Sequence, residues 1–240
     1  MRFNGIELRT VHPSISINKE IPPGMPDRNV LTVSGADGEQ VSDVQVKQGE
    51  YTVRVNIACR TKDDAWMVRR LLAGWATSSG NRTAQLEPTH WPGVCYDAIV
   101  KDISAPEFIV GFAVVTVRFL LPRPFAHDLA ETTTSGRKTV QAGFTGTAVC
   151  RPVIRQTMQG SAQELLWTMD GRDMLRIIGP VSGVVEANFG TGELLIDGVH
   201  SEQRVDFQRS VWHPGFTPGV HEIVSSDGGL LEVRWKAEWA

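Results

Sequence analysis

Alternation with a period of two residues is the feature of this 240-residue chain that most narrows what it can fold into. Tyr51, Val53, Val55, Ile57 and Cys59 alternate with Thr52, Arg54, Asn56 and Ala58. Near the C-terminus Leu231, Val233, Trp235, Ala237 and Trp239 alternate with Glu232, Arg234, Lys236 and Glu238. Successive side chains of a strand point to opposite faces, so each run reads as a half-buried strand with one wet face. On that reading Trp235 and Trp239 share a core face. The stretch Phe108 to Leu121 is apolar on both faces and reads as a central strand or a long hairpin arm. Many shorter strand-like runs are set apart by Gly35-Ala-Asp-Gly38, Asp170-Gly171, Gly190-Thr-Gly192, Asp197-Gly198 and Asp227-Gly-Gly229, all of them turn chemistry. The 23 Gly and 13 Pro are what such a series of short elements requires.

One segment departs from the period. Val68, Leu71, Leu72 and Trp75 recur at i, i+3, i+4, i+7, which predicts an amphipathic helix over 63–76 with those four residues facing a sheet. Thr61 with Asp64 forms an N-terminal capping pattern, and Ser78-Ser-Gly-Asn81 stops the helix. Arg69 and Arg70 fall on its solvated face. Trp66 falls off the main stripe. Pro122-Arg-Pro-Phe125 ends the preceding strand, because proline cannot donate to a ladder. The polar run that follows buries little. The expected division is therefore 1–125 as a β domain carrying the helix, 126–138 as a linker, and 139–240 as a β-sandwich. The last strand, 230–239, could belong to either half.

The formal charge is −3, with 24 Lys and Arg against 27 Asp and Glu, which gives no basic excess of the kind a nucleic-acid binder shows. No apolar run reaches the roughly 18 residues of a membrane span, and no signal-peptide pattern opens the chain. The three cysteines, Cys59, Cys95 and Cys150, are odd in number, widely spaced and within strand-like runs, so they read as buried free thiols of a protein made in a reducing cytoplasm. Nucleotide, hydrolase-elbow, zinc-protease and calcium-loop motifs are missing. Three weaker constellations remain. His200, His213 and His221 with Asp197 and Glu202 contain metal-ligating types at irregular spacing. Asp170, Asp173, Asp197 and Glu193 contain the carboxylates a glycosidase pairs, but Asp170 and Asp197 each precede glycine, which is turn chemistry. Trp167, Trp212, Trp235 and Trp239 offer aromatic faces on which a sugar could stack, with loop-borne Trp212 the best placed.

The order of features carries more than any one motif. Phe3-Asn4-Gly5 opens the chain. The strand Tyr51 to Cys59 leads into a helix ending Leu71-Leu-Ala-Gly-Trp75. Ala84-Gln-Leu-Glu-Pro88, Gly93-Val-Cys-Tyr-Asp-Ala-Ile-Val100 and Phe112-Ala-Val-Val-Thr-Val-Arg-Phe119 follow, the last running into Leu121-Pro-Arg-Pro-Phe125. Then come Gly146-Thr-Ala-Val-Cys-Arg-Pro-Val-Ile154, Leu194-Leu-Ile-Asp197 and Phe216-Thr-Pro-Gly-Val220. This order resembles the distal tail protein family of long-tailed, non-contractile bacteriophages, the siphophage tail component family, over nearly the whole chain. The resemblance implies a mainly β protein with one amphipathic helix: an N-terminal tail-tube-like β-sandwich that forms a ring, and a C-terminal galectin-like β-sandwich. It implies a homohexameric ring at the distal end of the virion tail that joins the tail tube protein to the tail-tip or hub protein and to receptor-binding proteins. DNA would pass through its channel without specific binding. No cofactor, no membrane contact and no catalysis are expected. The ring-contact arm would be the polar hairpin from Gly35 to Gly49, with Val41, Val44 and Val46 set against a neighbour. Trp66, Trp91 and Trp212 remain as candidate contacts to a partner or a glycan. A carbohydrate-binding module is the alternative reading.

Overall fold

The computed structural model describes residues 1–24, 28–33, 40–80, 82–211 and 215–240, and for 28–33 and 40–46 it describes the backbone. The chain folds into two compact units, Met1–His127 and Asp128–Trp239.

The first unit contains β1 (Arg2–Phe3), β2 (Ile6–Glu7), α1 (Leu8–Val11), β3 (Ile15–Ile21), β4 (Arg28–Val33), β5 (Gln40–Val46), β6 (Gly49–Ala58), α2 (Lys62–Ala76), β7 (Ala84–Glu87), β8 (Val94–Ile103), β9 (Glu107–Ile109), β10 (Phe112–Leu121) and the start of β11 (Ala126–Asp128). Its sheet runs in the order β2-β1-β7-β8-β10-β6-β3. The alternating strand β6 pairs along its whole length with β10, from Ala58 opposite Phe112 to Gly49 opposite Leu121. Tyr51, Val53, Val55 and Ile57 are fully buried on one side with Val115, Val117 and Phe119. Helix α2 covers that side. Its capping box is complete: the Asp64 amide donates to Thr61 Oγ1 and the Thr61 amide donates to the Asp64 carboxylate, both at 3.1 Å. Its inward stripe is Ala65, Val68, Leu72, Trp75 and Ala76. Trp75 packs edge-on against Phe3 and Phe119 at 5.8 and 6.1 Å between ring centroids, and its indole N–H donates to the Ile6 carbonyl at 2.9 Å.

Three expectations, on Leu71, Arg69 and Cys59, are corrected in this unit. Leu71, assigned to the buried stripe, lies on the outer face of α2. The helix turns 100° per residue, so a stripe centred on Val68, Leu72 and Trp75 carries position 71 out to the flank. Arg69, assigned to solvent, reaches back to donate to the carbonyls of Ile103 at 2.8 Å and Ser104 at 3.2 Å. The apolar stretch Phe108 to Leu121, read as a central strand or a long hairpin arm, holds both: β10 lies between β6 and β8, and β9 turns at Val110 and Gly111 into it, with Gly111 at φ +84°, a conformation open to glycine. The four-residue helix α1 was not foreseen, being one turn long, without a side-chain cap and too short to show a period. Strands β4 and β5 form a two-stranded ribbon that, among the described residues, pairs with no other strand. Cys59, expected to be buried, is half-buried, whereas Cys95 and Cys150 are buried.

The second unit contains β12 (Thr132–Arg137), β13 (Thr139–Phe144), β14 (Val153–Thr157), β15 (Ala162–Met169), β16 (Arg172–Val181), β17 (Val184–Asn188), β18 (Glu193–Ile196), β19 (Val199–His200), β20 (Gly219–Ser225), β21 (Leu230–Trp235) and β22 (Glu238–Trp239). Six strands form one sheet, β12-β21-β14-β17-β18-β19, and four form the other, β13-β20-β15-β16. The stretch 126–138, expected to be a linker, carries β12, which pairs with β21 from Thr132 opposite Trp235 to Arg137 opposite Leu230. Polarity misled there, because an edge strand buries little side-chain surface while its backbone is fully engaged. Lys138, at φ +64°, swings the chain from β12 in one sheet to β13 in the other. The core between the sheets holds Phe144, Ile154, Trp167, Phe189, Phe216, Val233 and Trp235. The alternating run at the C-terminus divides: β21 lies between β12 and β14 in the six-stranded sheet, and Trp235 is buried. Trp239, expected on the same core face, is half-buried in the separate strand β22, where its indole N–H donates to Asp128 Oδ1 at 3.1 Å. The break falls where the Ala237 carbonyl accepts from the Asp128 amide at 3.0 Å.

Candidate interaction surface

The polar groups with shifted pKa values are held by folding contacts. Glu20 on β3 has a side chain that is 5 % exposed. Burial acts to raise its pKa, yet hydrogen bonds from Thr89, the Tyr51 hydroxyl (2.8 Å) and His90 (2.8 Å) outweigh burial and hold it below the ordinary value of 4.5. Burial and the nearby Glu20 carboxylate push Tyr51 well above the ordinary tyrosine range. The network ties β3 to β6 and to the loop after β7. In the second unit the buried Gln156 side chain accepts from the Trp167 indole and the Ser225 hydroxyl, and its amide donates to Asp227 at 3.2 Å.

The constellations singled out for chemistry are dispersed. His200 pairs with Glu202 at 2.9 Å and His221 with Asp170 at 2.6 Å. His213 lies outside the described residues. Among the described residues, no group of three metal-ligating side chains converges. Asp170 and Asp197 sit at φ +51° and +48°, each followed by a glycine at positive φ, which is the geometry of tight hairpin turns. Asp170 accepts from His221 and the Glu222 amide, and Asp197 accepts from the Val184 amide at 2.8 Å. Asp173 is engaged by Arg176 at 3.3 Å. The carboxylates therefore serve the turns that carry them.

What the first unit does present is apolar surface. The outer face of α2 exposes Trp66, Met67 and Leu71, and the β9–β10 hairpin exposes Phe108, Ile109 and Val110, the last at 99 %. The two groups are neighbours. Lys62 Nζ lies 5.5 Å from the Phe108 ring centroid, and Met67, Val68 and Gly111 line a common depression of about 360 Å³ with Cys59 and Arg60. The Arg69 guanidinium lies 5.9 Å from the Trp66 ring. A two-residue turn ordinarily carries Gly, Asn or Asp, so Val110 beside Ile109 at a hairpin tip places apolar atoms where nothing of the fold needs them. Large exposed apolar side chains on two adjacent elements mark a candidate contact surface.

Of the residues singled out in the sequence, Trp66 is on this surface and is 41 % exposed. Trp91 is half-buried in the turn between β7 and β8. Val41, Val44 and Val46 lie on β5, where only the backbone is described. Trp212 lies outside the described residues. Met67, Leu71 and the hairpin tip were missed. The available signal was Phe108-Ile-Val110 directly before Gly111, three apolar residues running into a turn. On the second unit, Met169, Asp170, Arg172, Asp173, Met174, Val211 and Gly215 line a groove of about 470 Å³.

No protein-family model matches the sequence. No curated protein matches it either. Among solved structures, the chain is similar to the Dit protein (gp 19.1) of phage SPP1, described as a paradigm of the hub adsorption apparatus in phages that infect Gram-positive bacteria. The likeness has a TM-score of 0.78 at 16 % identity and covers 100 % of this chain and 98 % of that one. Chains of the phage P2 baseplate in its activated conformation, with calcium and with strontium, match at a TM-score of 0.45 and 9 % identity, over 93 % and 95 % of this chain and 90 % and 92 % of theirs. The fold, helix-bearing β unit and sandwich together, is that of the SPP1 hub protein.

Proposed function

We propose that the chain is a structural component of a bacteriophage tail: a ring of six copies at the distal end that joins the tail tube to the tail-tip apparatus and leaves a channel for DNA. The observation that carries this reading is the end-to-end likeness in fold to a phage hub protein, 100 % of one chain against 98 % of the other, with both units included. The surface chemistry supports it. Shifted carboxylates and histidines are spent on turns and strand ties, and the concentrated exposed feature is an apolar contact face. A ring also gives the edge strands β3 and β2 something to pair with, since closed rotational symmetry leaves no free edge. The partners are then a second copy of the chain, the tail tube protein and the tail-tip protein, with receptor-binding proteins further out. The near-neutral charge, −3 over 240 residues, suits a channel through which DNA slides without sticking. Light scattering after gel filtration, followed by negative-stain imaging, tests the reading. The expected result is a particle of about six times the 26.4 kDa chain with a central hole, and a monomer at every concentration argues against it.

A second reading rests on the groove of the second unit. Met169, Met174 and Val211 line it with apolar atoms, Arg172 and Asp173 with charged ones, and Val211 directly precedes Trp212 in the sequence. Those are the components of a saccharide subsite. Binding on a panel of cell-wall glycans that is lost in Arg172→Ala and in Trp212→Ala would establish it; a blank panel removes it.

A further inference from the structure

We infer that His221 is a proton switch that sets the charge of the groove on the second unit, with Thr217 as its two-position partner. The switch is built from the fold of that unit alone, and it stands whether or not the groove holds a saccharide.

The geometry asks more of the imidazole than its neutral form can give. His221 Nδ1 lies 2.6 Å from Asp170 Oδ2, and Nε2 lies 2.9 Å from the Thr217 carbonyl oxygen. A carboxylate and a carbonyl only accept, so both ring nitrogens must donate, whereas a neutral imidazole carries one N–H. The arrangement is that of the imidazolium. Asp170 is the ionised partner: its bond with His221, and the Glu222 amide on its other oxygen, hold it below 3.8. Burial acts to lower the His221 pKa, but the bonds to Asp170 and Thr217 outweigh it and raise the pKa above 6.5. The ring is 14 % exposed and packs against Phe144 and Phe216, at 5.7 and 6.3 Å between centroids, so it is not free to swing into water. The other elements around it bring these groups. Across the β15–β16 turn Arg172 adds its charge near Asp170. On β20 the Glu222 carboxylate accepts from the Gln141 amide at 3.0 Å. From β13 come Ala142, opposite His221, and Phe144. Cys150, backbone-paired with Phe216, keeps its proton, since burial pushes its thiol up to about 12.

The second position is already in place. Thr217 Oγ1 stands 3.4 Å from His221 Nε2. When His221 loses a proton, the stronger bond to the carboxylate keeps the remaining N–H on Nδ1, and Nε2 becomes an acceptor. The Thr217 carbonyl then loses its donor, whereas the Thr217 hydroxyl gains an acceptor. Pro218 holds Thr217 to extended backbone, so the exchange is a short swing at one residue, and Thr217 is exposed and has room for it. The consequence falls on the groove, which Asp170 lines together with Arg172 and Asp173. With His221 protonated the Asp170 charge is matched. Without that proton the groove carries the charge unmatched, and its preference moves toward cationic and hydrogen-bond-donating ligands.

The experiment uses the full-length chain with isotope-labelled histidine and methionine. In the wild type the ring nitrogens of His221 are expected to pass from doubly protonated to the Nδ1–H tautomer as pH rises. Thr217→Val deletes the hydroxyl that serves the neutral form, so its midpoint is expected to lie about half a unit to one unit higher. Thr217→Ser keeps the hydroxyl and is expected to keep the wild-type midpoint. Relaxation of the Met169 methyl by a cationic nitroxide, taken relative to an anionic one, is expected to rise about twofold above the His221 midpoint, and that step is expected to move with the midpoint in Thr217→Val. An Nε2–H tautomer in the neutral form overturns the inference. So does a Thr217→Val midpoint at or below that of the wild type, or a relaxation ratio with no step at the His221 midpoint. A chain that shows the step and the shifted midpoint but binds no glycan removes the saccharide reading and leaves the switch standing.

Discussion

Single side chains account for much of the stability that pattern reading assigned only to strands. Glu20 illustrates how. A carboxylate that is 5 % exposed persists because three separate donors converge on it. Replacing it with glutamine removes the charge and leaves one oxygen to serve those donors, so Glu20→Gln is expected to cost about 1–3 kcal/mol, read as a lowered urea midpoint with an unchanged slope. The His221–Asp170 pair gives a pH signature. Partial burial acts to lower the His221 pKa, but the hydrogen bonds to Asp170 and the Thr217 carbonyl outweigh it and raise the pKa above 6.5, while the same contact holds Asp170 below 3.8. A raised histidine stabilises the fold fully below its unfolded pKa and loses that contribution as pH rises through its folded value. A lowered aspartate does so above its unfolded pKa and loses it as pH falls through its folded value. The pair therefore contributes most between about pH 3.8 and 6.5. The histidine resonances of His221 are expected to titrate above 6.5 in the wild type and to move down in Asp170→Asn; an unmoved midpoint would show that Asp170 is not the cause. Among the thiols, burial and the nearby Glu238 push Cys150 up to about 12, and Cys95 is buried, whereas Cys59 is half-buried. One of the three thiols is expected to react quickly with a colorimetric disulfide in the native protein and all three in denaturant.

At the scale of elements, the contrast between Leu71 and Leu72 is the sharpest test of how α2 is oriented. Leu72 is fully buried against the sheet and Leu71 is 45 % exposed. Leu72→Ala is expected to destabilise by about 2–5 kcal/mol and Leu71→Ala by about 0.5 kcal/mol or less, as measured by chemical denaturation. Equal losses would place both in the core. The root of the β4–β5 ribbon is fixed by close packing: a Cβ on Gly49 would stand 2.7 Å from Pro124 Cβ and 3.2 Å from Pro23 Cβ. The glycine at the start of β6 is thus required by Pro23, which precedes the ribbon, and Pro124, which follows β10. The helix boundaries were legible in the sequence because capping is local chemistry: Thr61 and Asp64 are three residues apart and need nothing else. The outward turn of Leu71 was not legible, because a leucine on the flank of a helix looks the same in sequence whether a sheet or a partner covers it. The same holds for Phe108 to Leu121, where a turn with Val110 in it lacks the polar residues by which turns are read.

For the whole molecule, the two units each enclose a core of their own, with Phe3, Trp75 and Phe119 in one and Phe144, Trp167 and Trp235 in the other. A fragment of residues 128–240 is accordingly expected to unfold cooperatively by itself, with Trp167 fluorescence as the reporter. A broad, non-cooperative transition would mean that the sandwich does not stand alone. The sequence by itself determined the class of structure: a mainly β chain with one capped amphipathic helix and hairpins at Asp170-Gly171 and Asp197-Gly198. Those features follow from short-range rules, period, cap and turn, that act within a few residues. Only the tertiary structure decided that the polar stretch 132–137 is an edge strand, that the C-terminal alternation splits between β21 and β22, and that apolar residues of α2 and of the neighbouring 108–110 tip are exposed. Pairing partners and solvent exposure are set between residues far apart in the chain, as between Thr132 and Trp235, and such separations leave no periodic trace along it.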